Sequence, residues 1–225
     1  MVGTGVSGPE LRFRLPGRWF SVDLSGEDAT RASIRRIATD AVGVADDRAA
    51  ERARVRQQLN EAVVAGAQGE ARAIMFATEI AHGTPLPVTL LVFEPADLRM
   101  SPAIGTTPQA VLAVLAEGLQ QIDPLAHGSM VEVRGPGIPA LRTHRVDLVA
   151  DGGESDGISR LIVDYWVPVP ESKRMLMVRF STPLGDLQNL MLALFDEFIA
   201  VAYFTAEHRG SLRETLLGGA QPSRR

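Results

Sequence analysis

Tyr165–Pro183 reads YWVPVPESKRMLMVRFSTP: an alternating apolar run, a turn of proline and charge, a second alternating run, then Ser-Thr-Pro. Alternation with period two describes half-buried strands, so the stretch predicts an antiparallel hairpin. Thr182 followed by Pro183 predicts the start of a helix, with threonine as cap and proline at the first helical position. A hairpin feeding a helix makes an α+β domain the expectation for the whole chain.

Working outward, the helix after Pro183 carries Leu184, Leu187, Met191, Leu194, Phe195, Phe198 and Ala202 at a spacing of three and four, one broad apolar face. Upstream, MVEVR, ALRTHRVDLVA and ISRLIVDYWVPV are separated by Gly-Pro-Gly-Ile-Pro and by DGGESDG, which predicts a C-terminal β-meander. In the last of these runs Leu161, Val163, Tyr165 and Val167 share one face, while Arg160, Ile162, Asp164 and Trp166 share the other. The second face is mixed, so partial cover is expected there. Trp166 beside Asp164 is therefore the candidate partner surface, with Arg160, and with Arg99 in the long loop from Ala96 to Thr106.

The N-terminal half adds three expectations. LRFRLPGRWFSVDL places Pro16-Gly17 between two short alternating runs and predicts an opening hairpin. TRASIRRIATDAV, capped within Ser25 to Asp28, and a second segment from about Asp46 to Ala65 with Val55, Leu59, Ala62 and Val63 in a narrow stripe, predict two helices. ARAIMFATEIAHGTPLPVTLLVFEP predicts a strand pair, and Thr107-Pro108 opens a helix whose buried stripe is Val111, Leu112, Leu115 and Leu119. The organisation expected is a flexible tail over residues 1–10, one α+β domain over 11–204 and a C-terminal tail over 205–225.

The whole composition fits this picture. At 225 residues, with 45% hydrophobic and 22% charged, the chain is an average globular one and long enough to bury roughly 70% of its unfolded surface. A formal net charge of −4 opposes non-specific attraction to nucleic acid or anionic membrane. The absence of cysteine removes disulfides, thiolate metal sites and a thiol nucleophile. The N-terminus lacks a basic start with an apolar core, and no apolar run approaches a membrane span, so a cytoplasmic location is expected. Lys173 is the single lysine amid plentiful arginine, alanine, glycine, proline and valine, a usage that suggests a high-GC bacterial genome.

The sites that would carry chemistry each have a plainer explanation. Gly3 to Gly8 spells GxGxxG, yet no strand precedes it to aim a phosphate at a helix N-terminus, so a polar tail is the preferred reading. Gly153 to Gly157 spells GxSxG, and a hydrolase reading makes Ser155 the nucleophile, His208 the base and Asp196 the orienting acid. The elbow needs a helix after the serine, whereas ISRLIVDYWVPV is a strand, and a hairpin loop explains the same letters. Asp151, Glu154 and Asp156 miss the rhythm of a calcium loop, and His82, His127, His144 and His208 are scattered rather than paired on a helix. The Arg48, Arg52, Arg54 and Arg56 cluster reads as a solvated face tied to Glu51. Neither catalytic residue, cofactor nor metal is expected.

The opening LPGRW turn at Leu15–Trp19, the order of elements and the phrases YWVPVP, FSTP and LFDEF together resemble the PsbP-like fold. That fold includes extrinsic photosystem subunits, a Ran-binding nuclear import factor and actinobacterial LpqN-type lipoproteins, and the likeness spans about residues 11–204. The resemblance implies an α/β/α sandwich and a non-catalytic role in binding or assembly. The lipoproteins' signal peptide and anchoring cysteine have no counterpart here. A cytoplasmic protein-binding module is thus the leading expectation, with a serine hydrolase and a carrier of a small apolar ligand as the alternatives.

Overall fold

A computed structural model describes residues 9–95, 105–122, 131–133, 138–149 and 157–205. The C-terminal β-rich half forms the meander expected of it. Strands β5 (Val131–Val133), β6 (Ala140–Val149), β7 (Ile158–Pro168) and β8 (Met175–Thr182) follow one another antiparallel. The hairpin between β7 and β8 closes through Val169, whose N–H donates to the Arg174 carbonyl at 2.9 Å, with Glu171 at φ 56° in the turn.

Strands β3 (Ala71–Ala81) and β4 (Thr84–Phe93) form the other hairpin, turned at His82-Gly83. Strand β4 then pairs with β8, so Phe93 lies opposite Met177 and Leu90 opposite Phe180. With β2 (Arg18–Ser21) on the far side of β3, the result is one seven-stranded sheet in the order β2-β3-β4-β8-β7-β6-β5. The antiparallel α+β expectation therefore holds, but its opening hairpin does not form. Strand β1 (Glu10–Arg12) pairs not with β2 but with β9 (Tyr203–Thr205), near the other end of the chain.

The reason lies at Gly17. Its φ is +77°, and a Cβ there would stand 2.4 Å from the Glu79 carbonyl oxygen. The Pro16-Gly17 turn thus presses against β3 instead of folding two strands onto each other. Trp19 reinforces the crossing: its indole N–H donates to the Pro16 carbonyl at 2.9 Å, and its ring meets Phe198 edge-on at 6.4 Å.

Helices cover both sheet faces. On one face lie α1 (Glu27–Val42), α2 (Ala49–Gln68, after a 3-10 turn at Asp46–Arg48) and α3 (Pro108–Ile122). Ile34, Ile37 and Val42 of α1 and Val55, Leu59 and Ala62 of α2 pack on Ile74, Phe76, Leu91 and Phe93 of the sheet. Helix α3 presents Val111, Leu112 and Leu115 to Leu141, Met175 and Trp166. Thr107 caps it as expected, its Oγ1 accepting from the Ala110 N–H at 3.4 Å. The opposite face belongs to α4 (Gln188–Ala200), whose Met191, Phe195, Phe198 and Ile199 close over Leu161, Val163, Tyr165, Val178 and Phe180. Phe180 and Phe195 stack at 4.6 Å, Tyr165 meets Phe180 edge-on, and burial of each such ring contributes about 2 kcal/mol.

Two expectations at the helix starts are corrected. The first turn of α1 has Gly26 at its N-cap without a side-chain bond; Asp23 instead accepts from the Ser25 N–H at 2.9 Å, which holds its carboxyl below the usual carboxylate range. Thr182 does not cap α4. It is the last residue of β8, paired with Leu161 and fully buried, and a 3-10 turn at Gly185–Leu187 intervenes before the helix. Three residues per turn there, against 3.6 beyond, rotates the apolar face. Leu187, expected inside, is half exposed, while Leu192 and Ile199 are buried.

Among the described residues, no helix is long and apolar enough to cross a membrane.

Candidate functional site

The mixed face of the meander is where the sequence directs attention, and the pairing register decides what stands there. Asp164 lies opposite Arg179 on β8, and Asp147 on β6 lies opposite Arg160. Asp164 takes a fork from Arg179: Nε donates to Oδ1 at 2.6 Å and Nη2 to Oδ2 at 2.9 Å. This bond, more than the surrounding charge, raises the Arg179 guanidinium above its ordinary value. Arg145 approaches Asp164 at 4.0 Å and Asp147 at 3.4 Å, and Arg160 reaches Asp147 at 4.0 Å. The result is a ladder of alternating charge across β8, β7 and β6.

The ladder is graded. Asp164 is buried at its inner end, whereas Arg145, at the outer end, has about half of its side chain in solvent (52%). Helices α1 and α2 cover the sheet on one side of it, and α3 covers Leu141 and Trp166 on the other. Trp166 is consequently half-buried against α3, and Asp164 is engaged by Arg179. Of the four residues nominated from sequence, Arg160 and Trp166 keep partial contact with solvent, Asp164 is buried, and Arg99 lies outside the described residues.

A second carboxylate sits on the opposite face. Asp196 of α4 accepts from the Tyr165 hydroxyl at 2.7 Å and pairs with Arg142 of β6 beneath the helix. Burial, followed by the Asp196 charge, pushes the Tyr165 hydroxyl well above the usual range for tyrosine. This arrangement joins helix to sheet. In the hydrolase reading Asp196 would orient His208, but here both its oxygens are taken by Arg142 and Tyr165; Ser155 and His208 lie outside the described residues. The GxGxxG segment, most of the 96–106 loop, and the acids Asp151, Glu154 and Asp156 also lie outside them.

No protein-family model matches this chain, and no curated protein matches it either.

The chemistry of the described surface is consequently read from the residues alone. Of the histidines, His82 occupies the β3–β4 turn and His144 lies 3.3 Å from the Gln188 amide. Among the described residues no three histidine or acidic side chains converge to hold a metal ion. The Arg48 cluster of α2 behaves as a solvated face: Arg48 pairs with Glu51, and Arg52 donates to the Gly43 and Ala45 carbonyls.

Sequence reasoning missed the exposed apolar side chains of β6. Strand β5 pairs with residues 140–142 of β6. Beyond that point Val146 is 41% and Leu148 78% exposed on the face opposite the charge ladder. Gly185 is pressed against Ser159, the register partner of Leu148, so the start of α4 stands at the same end of the sheet. There Leu187 and Leu190 are 50% and 61% exposed. The period-two pattern of THRVDLV announced a strand with an apolar side, and nothing in those letters marks that side as uncovered.

Proposed function

We propose that this chain is a non-catalytic, cytoplasmic protein-binding or assembly module that docks its partner at the end of the meander where β6 exposes apolar side chains. The observation that carries the reading is the exposed pair Val146 and Leu148, with exposed Leu187 and Leu190 at the same end of the sheet and Arg145, Asp147 and Arg160 on the other face of the strands. Exposed apolar side chains rimmed by charge mark interaction surfaces. The likeness to PsbP-like binding and assembly factors points the same way. The space between sheet and α4, where a small apolar ligand would lie, is filled by Tyr165, Phe180 and Phe195, which further favours docking over carriage.

The test is photo-crosslinking in the native cell from a reactive side chain at Leu148, with exposed Val64 on α2 as the control position. The expected result is a discrete protein adduct from position 148, identified by mass spectrometry and missing from position 64. Equal or absent adducts at the two positions would remove the support for docking at this surface.

A further inference from the structure

Strands β1 and β9 stand apart from the seven-stranded sheet. They form a sheet of their own, in which Glu10, Leu11 and Arg12 lie opposite Thr205, Phe204 and Tyr203. Among the described residues no third strand joins them, and a two-stranded ribbon is marginally stable by itself. What holds this one is its apolar side. From β1 into the segment before Gly17 the residues alternate: Leu11 is buried, Phe13 and Leu15 are half-buried, and Glu10, Arg12 and Arg14 are exposed. Leu11 belongs to the core cluster on the α4 face, and Phe13, Leu15 and Phe204 pack against that cluster. The Arg14 guanidinium lies 5.2 Å from the centre of the Tyr203 ring, and the Thr205 hydroxyl donates to the Glu10 carbonyl at 3.2 Å. Residues Glu10 to Leu15 are a strap laid over the core where α4 ends.

Two properties set this strap apart from the rest of the fold. Glu10 and Thr205 are 195 residues apart along the chain, so their pairing closes the longest loop of any strand pair described, and only three residue pairs offset the chain entropy lost. The strap also has a fixed end. Gly17 is pressed against the Glu79 and Ile80 carbonyls of β3, and Trp19 beyond it meets Phe198, whereas Phe13, Arg14 and Leu15 belong to no strand.

We infer that the strap and β9 open together as one unit, pivoting at Gly17, while the seven-stranded sheet stays folded. Opening withdraws Leu11, Phe13 and Leu15 from the core cluster and bares the part of it that they cover. This releasable cover lies at the opposite end of α4 from exposed Leu187 and Leu190, so it is independent of the surface proposed for docking.

Hydrogen exchange of the full chain, followed by mass spectrometry, tests the inference. Amides of residues 10–12 and 203–205 are expected to exchange together, at least about 100-fold faster than those of β4, β7 and β8. Leu59→Ala removes a fully buried side chain of α2 on the other sheet face. It is expected to speed exchange in the central strands at least about tenfold and to leave the ribbon unchanged, because opening of the ribbon does not include α2. A covalent lock gives the reverse. Glu10 and Thr205 are register partners, a separation that a disulfide spans, and the chain has no cysteine to compete. In the double variant Glu10→Cys/Thr205→Cys, oxidation is expected to slow exchange of the ribbon at least about tenfold relative to the same protein reduced. Ribbon amides that exchange no faster than the central strands overturn the inference, as do separate rates for β1 and β9. It is equally overturned by a ribbon that Leu59→Ala speeds as much as the centre, or by a formed lock that leaves ribbon exchange as fast as before.

Discussion

The two faces of the sheet each carry an aspartate held by an arginine, and they use it differently. On the α4 face, Asp196 of the helix reaches the sheet, bound by Arg142 and by the Tyr165 hydroxyl, next to the stacked rings of Phe195 and Phe180. On the ladder face, Asp164 is bound by Arg179 and approached by Arg145, in a row that opens progressively to water. The two carboxylates do not differ by burial, since the Asp196 side chain is 29% and the Asp164 side chain 12% exposed. They differ in their company: Asp196 ties a buried tyrosine and a helix to the sheet, whereas Asp164 stands at the head of a row whose further charges, on Arg145, Asp147 and Arg160, lie partly in water.

Removing a ring beside Asp196 has the largest expected effect. Phe195→Ala takes away a fully buried ring stacked on Phe180 and is expected to destabilise the fold by about 3–5 kcal/mol, read from the denaturant midpoint. Asp196→Asn leaves Arg142 without its counter-ion and weakens the Tyr165 bond. About 2 kcal/mol is expected, in line with hydrogen bonds to charged groups. A loss no larger than that of an exposed ion pair would erase the distinction between the faces.

Alkaline titration sharpens the same point. The Tyr165 hydroxyl is held above its ordinary value, whereas in the unfolded chain it ionises at about pH 10. Above that pH the unfolded state releases a proton that the native state retains. Stability therefore falls as pH rises past about 10, by up to about 1.4 kcal/mol per pH unit from this residue. Tyr165→Phe is expected to flatten that slope in denaturation series across the alkaline range, although it lowers stability at neutral pH.

On the ladder face the effects shrink. Asp164→Asn is expected to cost about 1 kcal/mol, since the amide oxygen still accepts from Arg179, whose side chain is 27% in solvent, and raising the salt concentration should reduce the difference. Smallest of all, Leu148→Ser is expected to change stability by less than about 0.5 kcal/mol while abolishing crosslinking from neighbouring positions of β6. A large stability loss in that variant would mean Leu148 is covered in the native protein.

Much of the architecture was legible because it is periodic. The alternation in Ile158–Pro168 and Met175–Thr182 announced two strands, and the residues placed on the Tyr165 face did enter the core. Thr107-Pro108 announced α3, and Val55, Leu59 and Ala62 announced the buried stripe of α2. The failures cluster where two elements far apart in sequence meet. The LPGRW turn reads as a hairpin because local letters cannot tell that residues 203–205 will take β1, or that Glu79 will crowd Gly17. Ser-Thr-Pro reads as a helix cap because Thr182 gives no local sign of its pairing with Leu161.

The candidate site divides along the same line. Asp164, Arg160 and Trp166 were recognisable as a mixed strand face from their spacing alone. That Asp164 is held by Arg179 and Trp166 by α3 depends on neighbours supplied by β8 and by a helix far upstream in the chain. The exposure of Val146 and Leu148 had no signal at all in THRVDLV, since an alternating strand reads identically whether or not a helix covers its apolar side.

By itself, then, the sequence determined the kinds of element, their order and which side of each strand is apolar, because backbone periodicity is a local property of neighbouring residues. Strand order, the fate of the two aspartates and the exposure of Val146 and Leu148 were decided only by tertiary structure. Each depends on which distant segment excludes water from a given face, and exclusion of water is a property of the assembled sheet.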